Sequence, residues 1–229
     1  MLKVFCCQAT FTFSIIVKEG NNMKIDFNNI QFDYNSKVII SYLIISLSAW
    51  LLNYITRGKT NKVFFSSYRS SVWNPLTYIR LFTHSIGHKD FDHLVGNFLY
   101  ILLIGPMIEE KYGSFPLLAM FLGTSLVIAL FNIITSKRAI LGASGNVYML
   151  IVLSSFSNIS EGKIPITLIL ICIFYVVSEM KKSITEGNSK IYHDGHLLGA
   201  LCGGVFGFLF YYYPEAITII NNFVGSLNL

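Results

Sequence analysis

The chain has 229 residues, of which 53% are hydrophobic and only 13% are charged. A soluble domain has about 25% charged residues, so the composition excludes a soluble enzyme and leaves little material for a separate folded domain outside a membrane. At about 20 apolar residues per spanning helix, the apolar fraction is enough for about six spans. The net charge is +5, but no stripe of basic residues stands apart from the apolar stretches. We therefore expect the chain to lie in a lipid bilayer and to have no nucleic-acid partner.

Uncharged apolar stretches along the chain predict six transmembrane helices. They are residues 38–55, 98–108 with a polar approach from 91, 115–134, 143–156, 164–178 and 196–213. The sequence therefore predicts an all-α, polytopic membrane protein with a six-transmembrane-helix bundle. In this division the membrane domain is 37–213, between an N-terminal tail at 1–36 and a C-terminal tail at 214–229.

The lengths of the stretches and connections point to where a site would lie. The connection from Arg57 to Asp90 carries Trp73 and many charges, and we expect it to be folded at the membrane interface. When the polar residues from 91 are counted as part of the second stretch, the fourth stretch is the shortest. A short helix is tolerated in lipid only where its ends are buried in protein or meet water, so these ends are of interest.

Polar side chains stand at the starts of the even-numbered helices. With six spans, the second, fourth and sixth helices all begin on the same face of the membrane. Their starts carry His93 and Asn97, Ser144, and His196, respectively. Polar groups at membrane depth are costly, so each of these four is a functional candidate.

Ser144 stands at the start of the fourth helix between Gly142 and Gly145. A serine in this position is most often an N-cap, and that interpretation stays open. The alternative is a nucleophile, because the unpaired N–H groups and positive dipole end of a helix start favour an oxyanion beside the serine.

His196 opens the sixth apolar stretch and is followed by Gly199, Gly203 and Gly207. At 100° per residue these glycines lie within about 60° of the histidine, which gives a face of small residues that another helix can approach closely. If the fourth helix is that partner, the imidazole comes within reach of Ser144 as a general base. The alternative is a histidine that only caps or packs.

His93 and Asn97 are four residues apart and share one helix face. Both side chains can donate hydrogen bonds to a negatively charged oxygen, as the members of an oxyanion hole do. Alternatively, both bond to neighbouring backbone and hold the long connection in place.

Three nearby histidines, His84, His88 and His93, raise the question of a metal site. No acidic residue stands at the spacing of a zinc-protease helix, and the three straddle a boundary between loop and helix. We therefore expect neither a metal ion nor another cofactor.

Several separated motifs follow one another in an order that identifies a family. The sequence resembles the rhomboid intramembrane serine proteases through Arg80-Leu-Phe-Thr-His84, His93-x-x-x-Asn97, Gly105-x-x-x-Glu109-x-x-x-Gly113-Ser114, Gly142-x-Ser144-Gly145, Tyr148, and His196-x-x-Gly199-x-x-x-Gly203. The resemblance runs from about Arg80 to Gly207 and implies a six-helix bundle of rhomboid type.

The resemblance implies a catalytic dyad without a third, acidic member. Ser144 would be the nucleophile and His196 the general base. The backbone N–H of Ser144, with His93 and Asn97, would bind the oxyanion. Tyr148 matches the aromatic residue that stacks on the catalytic imidazole and orients it.

Other matched positions are structural by the same resemblance: Arg80, Glu109, Gly142, Gly145, Gly199 and Gly203. The family usually has Trp before the arginine, and this chain has Ile79.

The implied function is hydrolysis of peptide bonds within or next to transmembrane segments of protein substrates. The fifth helix, with Phe174 and Tyr175 near its end, would be the lateral gate. Two alternatives stay open: a noncatalytic rhomboid relative that binds transmembrane segments, and a polytopic transporter whose pathway the polar residues line.

The distribution of Lys and Arg conflicts with the orientation usual in the family. Eleven of the 17 lie on the face where the even-numbered helices begin, and six lie on the other. The positive-inside rule would put the first face in the cytoplasm. Following the family instead, we expect a multi-pass protein of the cell (inner) membrane with its active site facing outward.

Overall fold

The computed structural model describes the backbone at residues 12–13, 16–19, 22–25, 30–31, 36–156, 166, 169–170, 173 and 190–226. Side chains are described for 36–156, 166, 169–170, 173, and 194–226 without 224. The chain divides into two units, Met1–Asn35 and Ser36–Leu229.

The N-terminal unit contains short strands, although the sequence indicated only a tail there. They are β1 (Thr12–Phe13), β2 (Ile16–Glu19), β3 (Asn22–Ile25) and β4 (Ile30–Gln31). β1 pairs with β4 and β2 with β3, both antiparallel, with Glu19 opposite Asn22. A Gly-Asn dipeptide separates β2 from β3, a composition typical of two-residue hairpin loops.

The second unit is helical in its described residues. Its helices are α1 (Lys37–Ile55), α2 (Lys59–Val63), α3 (Pro75–Thr83), α4 (Phe91–Tyr112), α5 (Ser114–Thr135), α6 (Ser144–Phe156), α7 (Lys190–Tyr212) and α8 (Glu215–Ser226). In the described part of the chain, α1, α4, α5 and residues 194–212 of α7 are long and apolar enough to cross a membrane, and α6 is a shorter apolar helix. The unit is thus the polytopic helical bundle that the sequence predicts.

The fifth predicted span, 164–178, lies mostly outside the described residues, and Phe174 and Tyr175 lie outside them entirely. Four of its positions are helical and exposed: Ile166, Ile169, Leu170 and Ile173.

Glu109 joins three helices at one end of the bundle. Its buried carboxylate accepts the N–H groups of Val38 and Ile39 in the first turn of α1, at 2.9 and 3.2 Å, and the hydroxyl of Ser114 at 2.7 Å. A negative charge is favourable at a helix N-terminus, where N–H groups lack partners. One side chain therefore fixes where α1 begins and how α4 turns into α5.

α6 lies inside the bundle, in backbone contact with α7. A Cβ atom on Gly199 would lie 2.1 Å from the carbonyl oxygen of Gly145, and one on Gly203 would lie 2.4 Å from that of Met149. Met149 and Leu153 are fully buried. Protein therefore surrounds the short helix, which meets the condition for a short apolar helix in a membrane.

The long connection is folded around Arg80. Its buried guanidinium donates to the Leu76 carbonyl and to the hydroxyls of Tyr68 and Ser70, and it lies 4.3 Å from the centre of the Tyr68 ring. The cation thus has hydrogen bonds and a ring face as compensation for its burial.

The C-terminal segment, 214–229, contains a helix where the sequence indicated only a tail. Ile217 and Ile220 of α8 pack against the core. The Asn221 amide donates to the Tyr112 carbonyl at 3.3 Å, beside Gly113, whose φ of +93° favours glycine. α8 therefore rests on the junction of α4 and α5.

Candidate active site

The loop before α6 is held on both sides by backbone hydrogen bonds. Ser67 and Ile140 exchange two of them, each 2.9 Å long. Farther along, the Gly142 N–H donates to the His84 carbonyl at 2.9 Å. Gly142 has a φ of +122°, which only glycine adopts readily. This turn delivers the chain to Ser144, the first residue of α6.

Ser144 and His196 are in contact. The His196 Nε2 atom lies 3.0 Å from the Ser144 Oγ atom, within the distance needed for proton transfer from a nucleophile to a base. The structure therefore brings together the two residues that the sequence analysis paired. His196 does not open its helix as expected, because α7 begins at Lys190, where polar residues extend the helix beyond the apolar stretch.

The ring of Tyr148 contacts the imidazole of His196. Its ring centre is 4.5 Å from that of His196, with 31° between the planes. Because Tyr148 follows Ser144 by one helical turn, one helix supplies both the hydroxyl and the aromatic face that contacts the histidine.

His93 lies against the loop that precedes Ser144. A Cβ atom on Gly142 would lie 2.7 Å from Cε1 and 2.9 Å from Nε2 of His93, so the imidazole edge fills the space that a side chain would need. The His93 N–H donates to the carboxylate of Asp90, the N-cap of α4, at 2.7 Å, and this bond lowers the pKa of Asp90.

Asn97 bonds to neighbouring backbone, which the alternative to an oxyanion role predicts. Its amide Nδ2 donates to the His93 carbonyl one turn earlier, at 2.9 Å. One amide hydrogen is therefore used within the helix, and the second remains for another acceptor.

His84 and His88 are buried beside the site, each with Nδ1 about 3 Å from a backbone carbonyl. Burial lowers the pKa of both to about 4. Both rings are therefore neutral near pH 7. Among the described residues, no group of three His, Cys, Asp or Glu side chains is arranged to hold a metal ion.

An open cavity of about 50 Å³ adjoins the Ser144–His196 pair. Its polar lining includes Ser125, Asn132, Asn146 and Asp194. Asn146 is buried and donates to the Tyr42 and Ser125 hydroxyls at 3.2 and 3.4 Å. A polar cavity of this size can admit water to the serine.

None of these four cavity residues was predicted from the sequence. Asn146 stands two positions after Ser144, Asp194 stands two before His196, and Asn132 lies inside an apolar stretch. The signal was available, because polar residues in or beside membrane spans are functional candidates.

The Rhomboid domain family model matches residues 75–213. RHOMBOID-like protein 12, mitochondrial, of Arabidopsis thaliana is 28% identical over 149 residues, which are 55% of this chain and 44% of the relative. Rhomboid-like protein 11, chloroplastic, of the same plant is 24% identical over 188 residues, 76% of this chain and 65% of the relative.

Rhomboid protease GluP of Bacillus subtilis (strain 168) is 26% identical over 198 residues, 84% of this chain and 38% of the relative. The matched part thus spans between 38% and 65% of the length of these three proteins. Because the domain match covers more than half of a chain with several membrane-crossing helices, this protein belongs to the rhomboid family of integral membrane proteins.

Proposed function

We propose that the protein is a serine endopeptidase that cleaves peptide bonds within or next to transmembrane segments. The observation that carries the proposal is the 3.0 Å contact between His196 Nε2 and Ser144 Oγ at the edge of a polar cavity. Family membership and the similarity to a protein named rhomboid protease support the same class of reaction.

Acylation begins with attack of Ser144 Oγ on the scissile carbonyl carbon, while neutral His196 takes the hydroxyl proton at Nε2. The resulting oxyanion accepts hydrogen bonds from the Ser144 N–H at the start of α6, from His93, and from the second amide hydrogen of Asn97. Collapse breaks the C–N bond, and the imidazolium gives its proton to the leaving amine. The N-terminal part of the substrate remains as an ester on Ser144.

Deacylation uses the same two residues. Water from the cavity attacks the ester carbon, His196 takes its proton, and the released serine oxygen is protonated again. Tyr148 orients the imidazole through ring contact, in the place of an acid. The remaining matched residues, Arg80, Glu109 and the glycines, have structural roles in this proposal.

The substrates are transmembrane proteins in the bilayer. A scissile bond in a helix must be exposed before attack, so segments with helix-destabilising Gly or Pro are the best substrates. Entry past the fifth helix is part of the proposal and concerns residues outside the described part of the chain.

The test uses purified protein in detergent or lipid, a fluorophosphonate probe that labels activated serines, and a transmembrane peptide. We expect labelling and cleavage by the wild type and neither by Ser144→Ala or His196→Ala. A folded wild type that binds the peptide without cleaving it would indicate the noncatalytic relative. A folded wild type that takes up no fluorophosphonate and neither binds nor cleaves the peptide would refute the protease and leave the transporter as the alternative.

We also propose that the protein lies in the cell (inner) membrane with its active site facing outward, although the distribution of Lys and Arg favours the opposite orientation. Two of the relatives carry organelle names, mitochondrial and chloroplastic. A C-terminal epitope tag decides the orientation, because six spans put the C-terminus opposite the site. Protection of the tag from protease added outside intact cells supports the outward site, and its digestion refutes it.

A further inference from the structure

An acidic residue, Asp194, lines the cavity beside the Ser144–His196 pair. Asp194 is one of the cavity-lining residues and lies in the second turn of α7, which begins at Lys190 and ends at Tyr212. Among the described residues of the cavity wall, no other side chain is acidic. Asp194 therefore introduces a formal negative charge next to the proposed nucleophile.

Asp194 is not placed to act as a third catalytic acid. It precedes His196 by two residues, and side chains two apart on a helix point about 200° away from each other. The imidazole of His196 contacts the hydroxyl of Ser144 and the ring of Tyr148. Because Asp194 lines the cavity, its carboxylate can meet a cationic group of a molecule that enters there.

Few groups near the cavity can neutralise this charge. Among the described residues, one ion pair has its charged atoms within 4 Å of each other, and it joins Lys89 to Asp90. No described cation contacts Asp194. His84, a titratable neighbour in the cavity wall, is neutral near pH 7 because burial lowers its pKa to about 4. Lys190 stands four residues before Asp194 in α7, a spacing that allows pairing, and its side chain lies outside the described residues.

We propose that Asp194 makes the enzyme prefer substrates with Lys or Arg close to the scissile bond. The inference rests on the proposed protease function and specifies its substrate class. A carboxylate in a cavity partly shielded from water attracts a cation more strongly than one at an open surface. Transmembrane segments carry Lys and Arg at their membrane boundaries, and Asp194 lies near the polar N-terminal end of α7.

The test uses transmembrane peptides that are identical except for Lys, Gln or Glu at one position, moved in turn through the four positions on each side of the cut. At the position that reaches Asp194, we expect the wild type to cleave the Lys peptide with a kcat/KM about tenfold above that of the Gln peptide, equivalent to about 1.4 kcal/mol. High salt should reduce the ratio.

Two substitutions at the site sharpen the test. Asp194→Asn removes the charge with little change of shape, and the Lys-to-Gln ratio should fall to about one. Asp194→Lys should reverse the preference in favour of Glu. Because each ratio is measured within one variant, a general loss of activity does not affect it.

Two control variants separate Asp194 from other charges. Asp92→Asn removes an exposed acid in the first turn of α4 that does not line the cavity, and the tenfold ratio should persist. Lys190→Gln tests pairing within α7. A Lys preference that appears only in this variant would show that Asp194 belongs to a pair with Lys190 and would overturn the proposal.

The remaining outcomes distinguish this inference from the proposed function. Equal cleavage of Lys and Gln peptides by the wild type, or a ratio unchanged by Asp194→Asn, overturns the role of Asp194 and leaves the protease in place. If the folded wild type cleaves no peptide and takes up no fluorophosphonate, the proposed function itself fails.

Discussion

A Cβ atom on Gly199 would lie 2.1 Å from the carbonyl oxygen of Gly145, so the backbones of α7 and α6 are in contact next to the proposed dyad. Gly145 follows Ser144 directly, and Gly199 lies one turn after His196. The 3.0 Å approach of the imidazole to the serine therefore depends on the absence of a side chain at position 199.

Gly199→Ala should separate the two helices and remove most of the activity. The added methyl group meets backbone, which cannot move aside as a flexible side chain would. A shift of about 1 Å at the dyad costs about a hundredfold in rate. We expect kcat/KM for a transmembrane peptide to fall by at least that factor, with a parallel loss of fluorophosphonate labelling.

Gly204→Ala is the matched control, since a Cβ atom there meets no atom within 4 Å and the same helix gains the same methyl group. It should keep near wild-type activity and gain slightly in helix propensity. Equal activities for the two variants would show that the backbone contact does not set the geometry of the dyad.

Tyr148 should act through its ring more than through its hydroxyl. Its ring centre lies 4.5 Å from that of His196, and such aromatic contacts contribute about 0.5–1.5 kcal/mol. Tyr148→Phe keeps the contact and Tyr148→Ala removes it. We expect kcat to fall about tenfold more in the alanine variant, with a smaller change in KM, and an equal loss in both variants would assign the role to the hydroxyl.

The parts of the site that could be predicted from the sequence are those that follow from helical periodicity. The glycines after His196 recur on one face, and a serine beside a glycine begins an uncharged stretch, so the two could be expected to meet. The structure places them in contact. The close approach of α6 to α7 likewise uses Gly199 and Gly203.

Other parts depend on contacts that leave no periodic signal. The bond between Asn146 and the Tyr42 hydroxyl joins residues 104 positions apart. The pairing of Ser67 with Ile140 is made by backbone alone, which any residue type provides. The start of α7 at Lys190 was missed because hydropathy marks where a span is apolar, whereas a helix continues into the polar interface.

Glu109→Gln should destabilise the bundle. The carboxylate accepts hydrogen bonds from two backbone N–H groups of α1 and from Ser114. An amide has one oxygen for these donors and turns its own N–H₂ group toward the rest. Because hydrogen bonds to charged groups contribute about 1.5–3 kcal/mol, we expect a loss of about 2 kcal/mol in the free energy of unfolding, measured by denaturant titration.

The neighbouring Glu110 is exposed, and Glu110→Gln is the control for the loss of one negative charge. It should change the free energy of unfolding by less than about 0.5 kcal/mol. A similar loss in both variants would mean that net charge, and not the junction of α1, α4 and α5, accounts for the effect.

His84 should make the fold sensitive to acid. Its pKa is lowered from 6.5 to about 4 because burial disfavours the charged ring. Between these two values the unfolded chain binds a proton that the folded chain does not, so stability is full above about pH 6.5 and falls as the pH drops toward 4. The expected loss is about 3 kcal/mol at pH 4.

His84→Gln removes this proton linkage, so its unfolding free energy should fall less steeply between pH 6.5 and 4 than that of the wild type, even if it is lower at pH 7. His88 has the same lowered pKa, and part of the slope should therefore remain when His84 alone is replaced. The half-buried Asp90, whose pKa is also lowered, loses its charge at lower pH and contributes little in this window. Identical slopes for wild type and His84→Gln would show that His84 is protonated equally well in the folded and unfolded chain.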